Sequence, residues 1–144
     1  MKGTASLSES GAYNQEAFRY LLESESKRSE RSGRFCQIIL VYSSDEHGRI
    51  VQMNFDVAKI VIESANRSFR ETDYIGWYRD GRIVGAVLTV LAQETMALVP
   101  TQLQPRLVEC LRAELGIEEF SRLQIRVCQP HEVSLVEGLK GVGG

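Results

Sequence analysis

Two short polar segments in the middle of the chain carry side chains that could bind a ligand. The first is Arg70-Glu71-Thr72-Asp73, and the second is the turn Arg79-Asp80-Gly81-Arg82-Ile83, which follows after the five residues Tyr74 to Tyr78. A guanidinium donates paired hydrogen bonds and a carboxylate accepts them, and the first segment carries both kinds of group, in Arg70 and Asp73. The structural alternative is that Arg70 ends a helix, where a cation suits the helix dipole, and that Asp73 shapes a turn.

Other residue types that commonly do chemistry are few and scattered. Cys36, Cys110 and Cys128 form no Cys-x-x-Cys pair, and their apolar surroundings predict buried, reduced thiols. His47 and His131 lie far apart, without a cysteine or carboxylate at the spacing of metal ligands. The sequence therefore predicts neither a metal site nor a cofactor.

Composition restricts the class of protein. The chain has 144 residues, of which 43% are hydrophobic, and this is enough for one core. Lys and Arg number 17 against 19 Asp and Glu, a net charge of −2, so we expect no nucleic-acid partner and no membrane partner. No apolar run resembles a signal peptide or reaches the length of a bilayer span, which predicts a cytoplasmic protein. We expect a disordered N-terminus over 1–12, one domain over 13–132 and a flexible, Gly-rich tail over 133–144.

Hydrophobic periodicity predicts the order of the elements. A helix begins at the cap-like Asn14 and runs to about Arg31, with its first half docked and residues 23–31 solvated. Over 35–42, apolar residues stand at both odd and even positions, which predicts a central strand with apolar side chains on both faces. Then follow a helix over about 52–70, a hairpin with strands at 74–78 and 83–91, a helix after Pro100 that stops at Gly116, and an alternating strand at 122–127.

This order predicts a specific fold. A βαββαβ sequence after an N-terminal helix is typical of an α/β (α+β) domain of the ferredoxin-like type, with an antiparallel sheet and its helices on one face. Alternation sends Trp77 and Tyr78 to opposite faces, which predicts one in the core and the other on the open face of the sheet. The fold serves many functions, so the site has to indicate which one applies.

Two segments together resemble the GGDEF family of bacterial diguanylate cyclases. Residues 18–40 are similar to the family's acidic and Arg-rich helix, its Arg-Ser-Gly-type break and its apolar strand. Residues 70–88 are similar to the stretch with Arg-x-x-Asp, five residues, the GGDEF hairpin and a buried strand. The resemblance covers about residues 15–130, and it implies a nucleotide-cyclase-like fold and a role in signal transduction.

The departures from the family concern the catalytic residues. Its Gly-Gly-Asp-Glu-Phe falls on Arg79 to Ile83, so the acidic pair that would bind metal ions becomes Gly81 and Arg82. An arginine repels Mg²⁺, which needs oxygen ligands. The family has a metal-binding Asp near the end of the first strand, but this chain has no carboxylate there before Asp45. In place of the family's short guanine-binding helix, it has only residues 44–51. We therefore expect a degenerate domain that is not an enzyme.

The same resemblance implies a site that could survive the loss of catalysis. Arg70 and Asp73 match the family's inhibitory Arg-x-x-Asp site, which binds cyclic di-GMP. The chemistry suits this ligand, because a guanidinium can donate to guanine O6 and N7 or to phosphate, and a carboxylate can accept from N1 and N2. Arg67 is a further candidate, since such sites use additional arginines.

Two other functions stay open at the level of sequence. The first is a protein-interaction scaffold that binds no nucleotide, either as a homodimer through its sheet or N-terminal helix or with a signalling protein partner. The second is an RNA-binding module of the same topology, which would need a basic sheet face with exposed aromatic side chains. The negative net charge disfavours the second.

Overall fold

The computed structural model describes residues 11–33, 35–69, 73–91 and 102–133. The helices are α1 (Gln15–Ser32), α2 (Phe55–Ser68), α3 (Gln104–Glu114) and α4 (Ile117–Arg122). The strands are β1 (Phe35–Ser44), β2 (Ile50–Val51), β3 (Tyr74–Arg79), β4 (Ile83–Leu91) and β5 (Leu123–Cys128), followed by a 3₁₀ turn at Pro130–Glu132. Within these residues, no helix is long and apolar enough to cross a membrane.

The sheet is antiparallel and β1 lies at its centre. One side of β1 pairs with β4, with Tyr42 opposite Ile83, and β4 pairs with β3. β1 also pairs with β5, in a register that sets Ile38 opposite Cys128 and Ser43 opposite Leu123. The four long strands thus stand in the order β5-β1-β4-β3, which confirms the predicted ferredoxin-like fold.

Both faces of the sheet are covered, because alternate residues of β1 enter two separate cores. Ile39 and Val41 pack with buried residues of α2 and α3. Ile38, Leu40 and Tyr42 point the other way and pack with α1. Thus α2 and α3 share one face as predicted, while the preceding helix α1 covers the opposite face.

The helix α1 has well-defined ends. The Asn14 side chain accepts a hydrogen bond from the Ala17 N–H, and Gly33 ends the helix in the left-handed conformation at φ 72°. The second half is less solvated than predicted, because Glu25 is buried and pairs with Arg28 at 2.7 Å. The sequence does not predict this contact, because hydrophobic periodicity identifies buried apolar residues and not a buried carboxylate.

Element boundaries differ from the predicted ones by a few residues. α2 begins at Phe55 and not near 52, because Asn54 caps the helix and the Met53 N–H donates to the Gly81 carbonyl at 2.7 Å. β2 and α4 were not predicted. Of the predicted terminal segments, only Gly11, Ala12 and Val133 are described, and Ala12 and Val133 are buried.

A pair of glycines in neighbouring strands forms the seat for Phe18, the fully buried aromatic residue of α1. Gly76 of β3 lies opposite Gly85 of β4. A Cβ at position 76 would lie 2.7 Å from the Tyr13 carbonyl oxygen and 2.8 Å from Cδ1 of Phe18, and one at position 85 would lie 2.8 Å from its Cζ. Only glycine therefore lets the helix approach the sheet this closely.

Substitution of Gly76 by Ala should destabilise the domain. The new Cβ meets backbone as well as the Phe18 ring, and overpacking of this kind costs about 1–3 kcal/mol. Denaturant unfolding followed by circular dichroism measures the change. Gly116→Ala is the matched control, because its Cβ would be 3.4 Å from a flexible Glu119 oxygen and its φ of −68° suits any residue. Equal stability of the two variants would contradict this account.

Candidate functional site

The β3–β4 turn lies beside the end of β1, at the place that the sequence resemblance implies for a catalytic hairpin. The Arg82 N–H donates to the Arg79 carbonyl at 3.0 Å and closes the turn, with Gly81 at φ 75°. The Gly81 carbonyl accepts from Met53, just after β2, which itself pairs with Ser43 and Ser44 of β1. Hairpin and β1 end are therefore neighbours, and what matters is which side chains they present.

The one carboxylate of the hairpin, Asp80, is bound to the start of α1. Its Oδ1 accepts from the Gln15 N–H at 3.3 Å, and its own N–H donates to Gln15 Oε1 at 2.7 Å. A negative charge is favourable at a helix N-terminus because it meets the positive end of the helix dipole. Asp80 thus fastens the hairpin to the N-terminal helix.

The positions of the family's acidic pair carry no oxygen ligand. Gly81 has no side chain, and the Arg82 guanidinium donates to the Ile50 carbonyl of β2 at 3.3 Å. Ile83, the last residue of the motif, is fully buried in the core beneath α1. Arg82 therefore places a cation where an active hairpin would hold metal ions, and the resulting repulsion opposes Mg²⁺ binding.

The remaining carboxylate near this place, Asp45, is occupied within its own turn. Its Oδ1 accepts from the Arg49 N–H at 2.8 Å and the His47 N–H at 2.9 Å. The pKa of Asp45 lies below its ordinary value, mainly because of the hydrogen bond from the Arg49 N–H. The hydrogen bond from the His47 N–H lowers this pKa further. Among the described residues, no group of three or more His, Cys, Asp or Glu side chains could hold a metal ion. The residues present do not fit a Mg²⁺ site.

A shallow, open depression of about 600 Å³ lies between the end of β1 and the start of β5. Its lining mixes charges, with Asp45 and Glu46 on one side and Arg122 on the other. The Ser44 hydroxyl donates to the Arg122 carbonyl and accepts from Gln124 Nε2, both at 3.3 Å. Sequence reasoning missed this depression, because it joins two turns that are far apart along the chain.

The predicted ligand-binding residues are only partly described. Asp73 is buried just before β3, whereas Arg70 lies outside the described residues. Arg67 Nη2 lies 3.9 Å from Glu114 Oε2 of α3, and both side chains are about half exposed. The structure thus places Asp73 and Arg67 at the two ends of the α2–β3 connection.

The aromatic residues of β3 do not form an open platform. Tyr78 is buried beneath α1, where the Arg19 guanidinium carbon lies 4.2 Å from its ring centroid and Arg19 Nε donates to its carbonyl at 2.8 Å. Trp77 is half-buried against the opposite core. The expectation of one aromatic on an open face is therefore wrong, because α1 covers that face. An RNA-binding surface of the stacking type has no platform on β3.

The cysteines have no catalytic environment. Cys36 and Cys128 are buried, and burial raises the pKa of each thiol to about 11, with nearby Glu25 and Glu132 as the respective second causes. Cys110 is half-buried on α3, and its Sγ accepts from the Ser68 hydroxyl at 3.6 Å. Since a thiolate is the nucleophilic form, the two buried thiols are poor nucleophiles at neutral pH.

This arrangement of strands, helices and hairpin is the fold of the GGDEF domains of diguanylate cyclases. No family model matches the sequence, and no curated protein matches it. The GGDEF domain of DgcB from Caulobacter crescentus, in complex with c-di-GMP, aligns at a TM-score of 0.64 and 15% identity over 96% of this chain and 89% of that one.

Two Pseudomonas aeruginosa structures are similar in the same way. The GGDEF domain of PA1120 (TpbB or YfiN) aligns at a TM-score of 0.62 and 12% identity, over 96% of this chain and 90% of that one. The diguanylate cyclase SiaD, in complex with its activator SiaC, aligns at 0.58 and 13% identity, over 86% of this chain and 49% of that one. At such identities the likeness shows the fold alone.

The Asp45 turn should make stability depend on acid pH. The pKa of Asp45 is lower in the folded protein than in the unfolded chain, where it is ordinarily 3.8. The ionised carboxylate therefore stabilises the fold at any pH above 3.8, and this stabilisation is lost as the pH falls from there through the lower pKa of the folded state. We expect the difference in unfolding free energy between the wild type and Asp45→Ala to narrow as pH falls below that range. Asp45→Asn keeps an oxygen acceptor for the turn, so at neutral pH its unfolding free energy should fall less than that of Asp45→Ala. A difference that widens on acidification would contradict the assignment.

Proposed function

We propose that this chain is a catalytically inactive signalling domain with the GGDEF fold. The observation that carries the proposal is the state of the hairpin, where Arg82 binds the β2 backbone and Asp80 binds the N-terminus of α1. Phosphoryl transfer in this fold needs oxygen ligands that hold metal ions across a triphosphate. Neither the hairpin nor the end of β1 supplies them. We place the domain in the bacterial cytoplasm, as the resemblance to diguanylate cyclases implies.

Incubation with GTP and Mg²⁺ should therefore give no cyclic di-GMP, as measured by chromatography beside an active cyclase. The double variant Gly81→Asp, Arg82→Glu, which restores the acidic pair, should also be inactive, because the end of β1 still lacks a ligand. Product formed by the wild-type protein in proportion to its concentration, and lost on chelation of the metal, would overturn the proposal.

We further propose that the domain binds cyclic di-GMP through Arg70, Asp73 and Arg67. The spacing of Arg70 and Asp73 supports this, as does the chemical match to guanine edges and phosphate. The ion pair of Arg67 with Glu114 is long and exposed, so it is worth little and its guanidinium could exchange the carboxylate for a phosphate. The similar DgcB domain is a complex with c-di-GMP.

Calorimetric titration with cyclic di-GMP tests this site. We expect micromolar binding that Arg70→Ala abolishes and that Arg67→Ala weakens, since charged hydrogen bonds contribute about 1.5–3 kcal/mol each. Asp73 is buried, so Asp73→Asn is used beside Asp73→Ala to separate loss of the ligand from loss of the fold. Arg31→Ala, at the exposed end of α1, is the matched control. Absence of heat from the wild-type protein would refute nucleotide binding.

A protein-interaction scaffold of the same fold is the second candidate. Large apolar side chains stand exposed at the start of two helices, with Phe55 of α2 81% exposed and Ile117 of α4 90% exposed. Isolated exposed apolar residues are common on protein surfaces. Phe55 and Ile117 share one feature, since each is the first residue of a helix in the described part of the chain. The similar SiaD is a complex with its activator protein. This candidate would remain if cyclic di-GMP did not bind.

A further inference from the structure

Among the described residues, the two edges of the sheet differ in whether another segment of the chain covers them. At the β3 edge, the Tyr13 N–H donates to the Ile75 carbonyl and the Trp77 N–H donates to the Tyr13 carbonyl, both at 2.9 Å. The segment before α1 therefore extends the sheet by one parallel bridge and covers the middle of this edge. At the opposite edge, β5 pairs only with β1 within the described residues.

β5 has few of the features that keep an edge strand from pairing with another chain. Such features are proline, bulges, inward-pointing charges and charged side chains, lysine above all, and the one charged residue of β5 is Arg126. The strand Leu123–Cys128 contains no proline, glycine or lysine, and its pairing with β1 runs without a register shift. Leu123, Ile125 and Val127 are half-buried against the core formed with α2 and α3. Gln124 and Arg126 lie on the other face.

Symmetry restricts how β5 could pair with a second copy of itself. In an antiparallel pair of strands, directly opposed side chains lie on the same face of the sheet, so in two identical strands their residue numbers are both odd or both even. A two-fold axis between the two copies must therefore set one residue opposite the same residue of the second copy. Centring on Ile125 sets Leu123 opposite Val127 of the second copy. Centring on Gln124 or on Arg126 would set arginine opposite arginine, Arg122 against Arg126 in the first case and Arg126 against itself in the second. Like charges directly opposite destabilise a pair of strands.

The polar face fits the same register. Gln124 Nε2 donates to the Ser44 hydroxyl at 3.3 Å, which orients the amide so that its oxygen points away from Ser44. Arg126 Nε donates to the Tyr42 hydroxyl at 3.3 Å, which positions its guanidinium over the sheet. With Ile125 at the axis, Gln124 faces Arg126 of the second copy, an acceptor opposite a donor, and this contact occurs twice.

We propose that β5 is the self-association edge of this protein and pairs antiparallel with β5 of a second copy, with Ile125 on the two-fold axis. The product is a symmetric dimer with one continuous sheet. Six residues per copy form a small interface, so the dimer dissociates readily at low concentration. This inference deepens the proposed non-catalytic signalling role but depends on neither GTP nor cyclic di-GMP.

Disulfide trapping tests the register. All variants carry Cys110→Ser, while the buried Cys36 and Cys128 are kept. Ile125→Cys should form a cross-linked dimer under mild oxidation, because directly opposed residues have Cα atoms about 4.5–5.5 Å apart, within the range of a disulfide. Gln124→Cys is the matched control. Its sulfur would face Arg126 of the second copy, and the two sulfurs introduced at position 124 would be too far apart, so cross-linking should be roughly tenfold slower or absent.

Charge exchange tests the same contact without covalent chemistry. Gln124→Arg sets arginine opposite arginine twice per dimer, so sedimentation velocity should show self-association weakened roughly tenfold. The double variant Gln124→Arg, Arg126→Glu sets opposite charges together and should restore association. Circular dichroism and thermal melts of each variant check the fold. A wild-type protein that stays monomeric up to several hundred micromolar, or equal cross-linking at 124 and 125, would overturn the proposal and leave the catalytic proposal untouched.

Discussion

The close approach of α1 to the sheet is the contact on which the rest of the molecule depends. Phe18 can approach the strands this closely only because Gly76 and Gly85 face each other across β3 and β4. This burial excludes water from the second face of β1, and a fully buried phenylalanine contributes about 1.5–3 kcal/mol. A sheet covered on one face alone would leave Ile38, Leu40 and Tyr42 exposed.

The docking of α1 also determines what the hairpin can do. With Phe18 in place, Gln15 lies next to Asp80, and Arg19 stacks on Tyr78. The hairpin is thereby held by hydrogen bonds to Gln15, and its one carboxylate, that of Asp80, accepts one of them. In a catalytic hairpin the acids must be directed at metal ions instead. The fold is retained without them, because the hairpin's burial rests on Ile83 and its neighbours in β4. Gly81 and Arg82, which stand in place of the acidic pair, are half-buried in the turn outside that core. The contacts that bury the hairpin are thus different from those that would hold metal ions.

The sequence was sufficient for the fold where the pattern was long and periodic. The apolar run 35–42 predicted a central strand, and the Asp80-Gly81 turn predicted the hairpin. It was insufficient for short elements: β2 has two residues, and α4 has six with none buried, so neither carries a period. Glu25 was missed because burial of a carboxylate depends on Arg28 and on tertiary packing. The Gln15–Asp80 contact joins residues 65 positions apart, and local spacing cannot reveal it.

The asymmetry of the two sheet edges follows from the same docking of α1, and it limits how copies could assemble. Strand addition at both edges would let chains stack without end, as open edges do in aggregates. Because the Tyr13 bridge covers the middle of the β3 edge, pairing through β5 uses the one edge of the described sheet that has no such bridge, and it stops at two copies. The hydrogen bonds of Tyr13 therefore act twice. They hold the segment that leads into α1, and they keep self-association finite. A Cβ at position 76 would meet both the Tyr13 carbonyl and the Phe18 ring, so a single substitution there would disturb the docking of α1 and the Tyr13 bridge together.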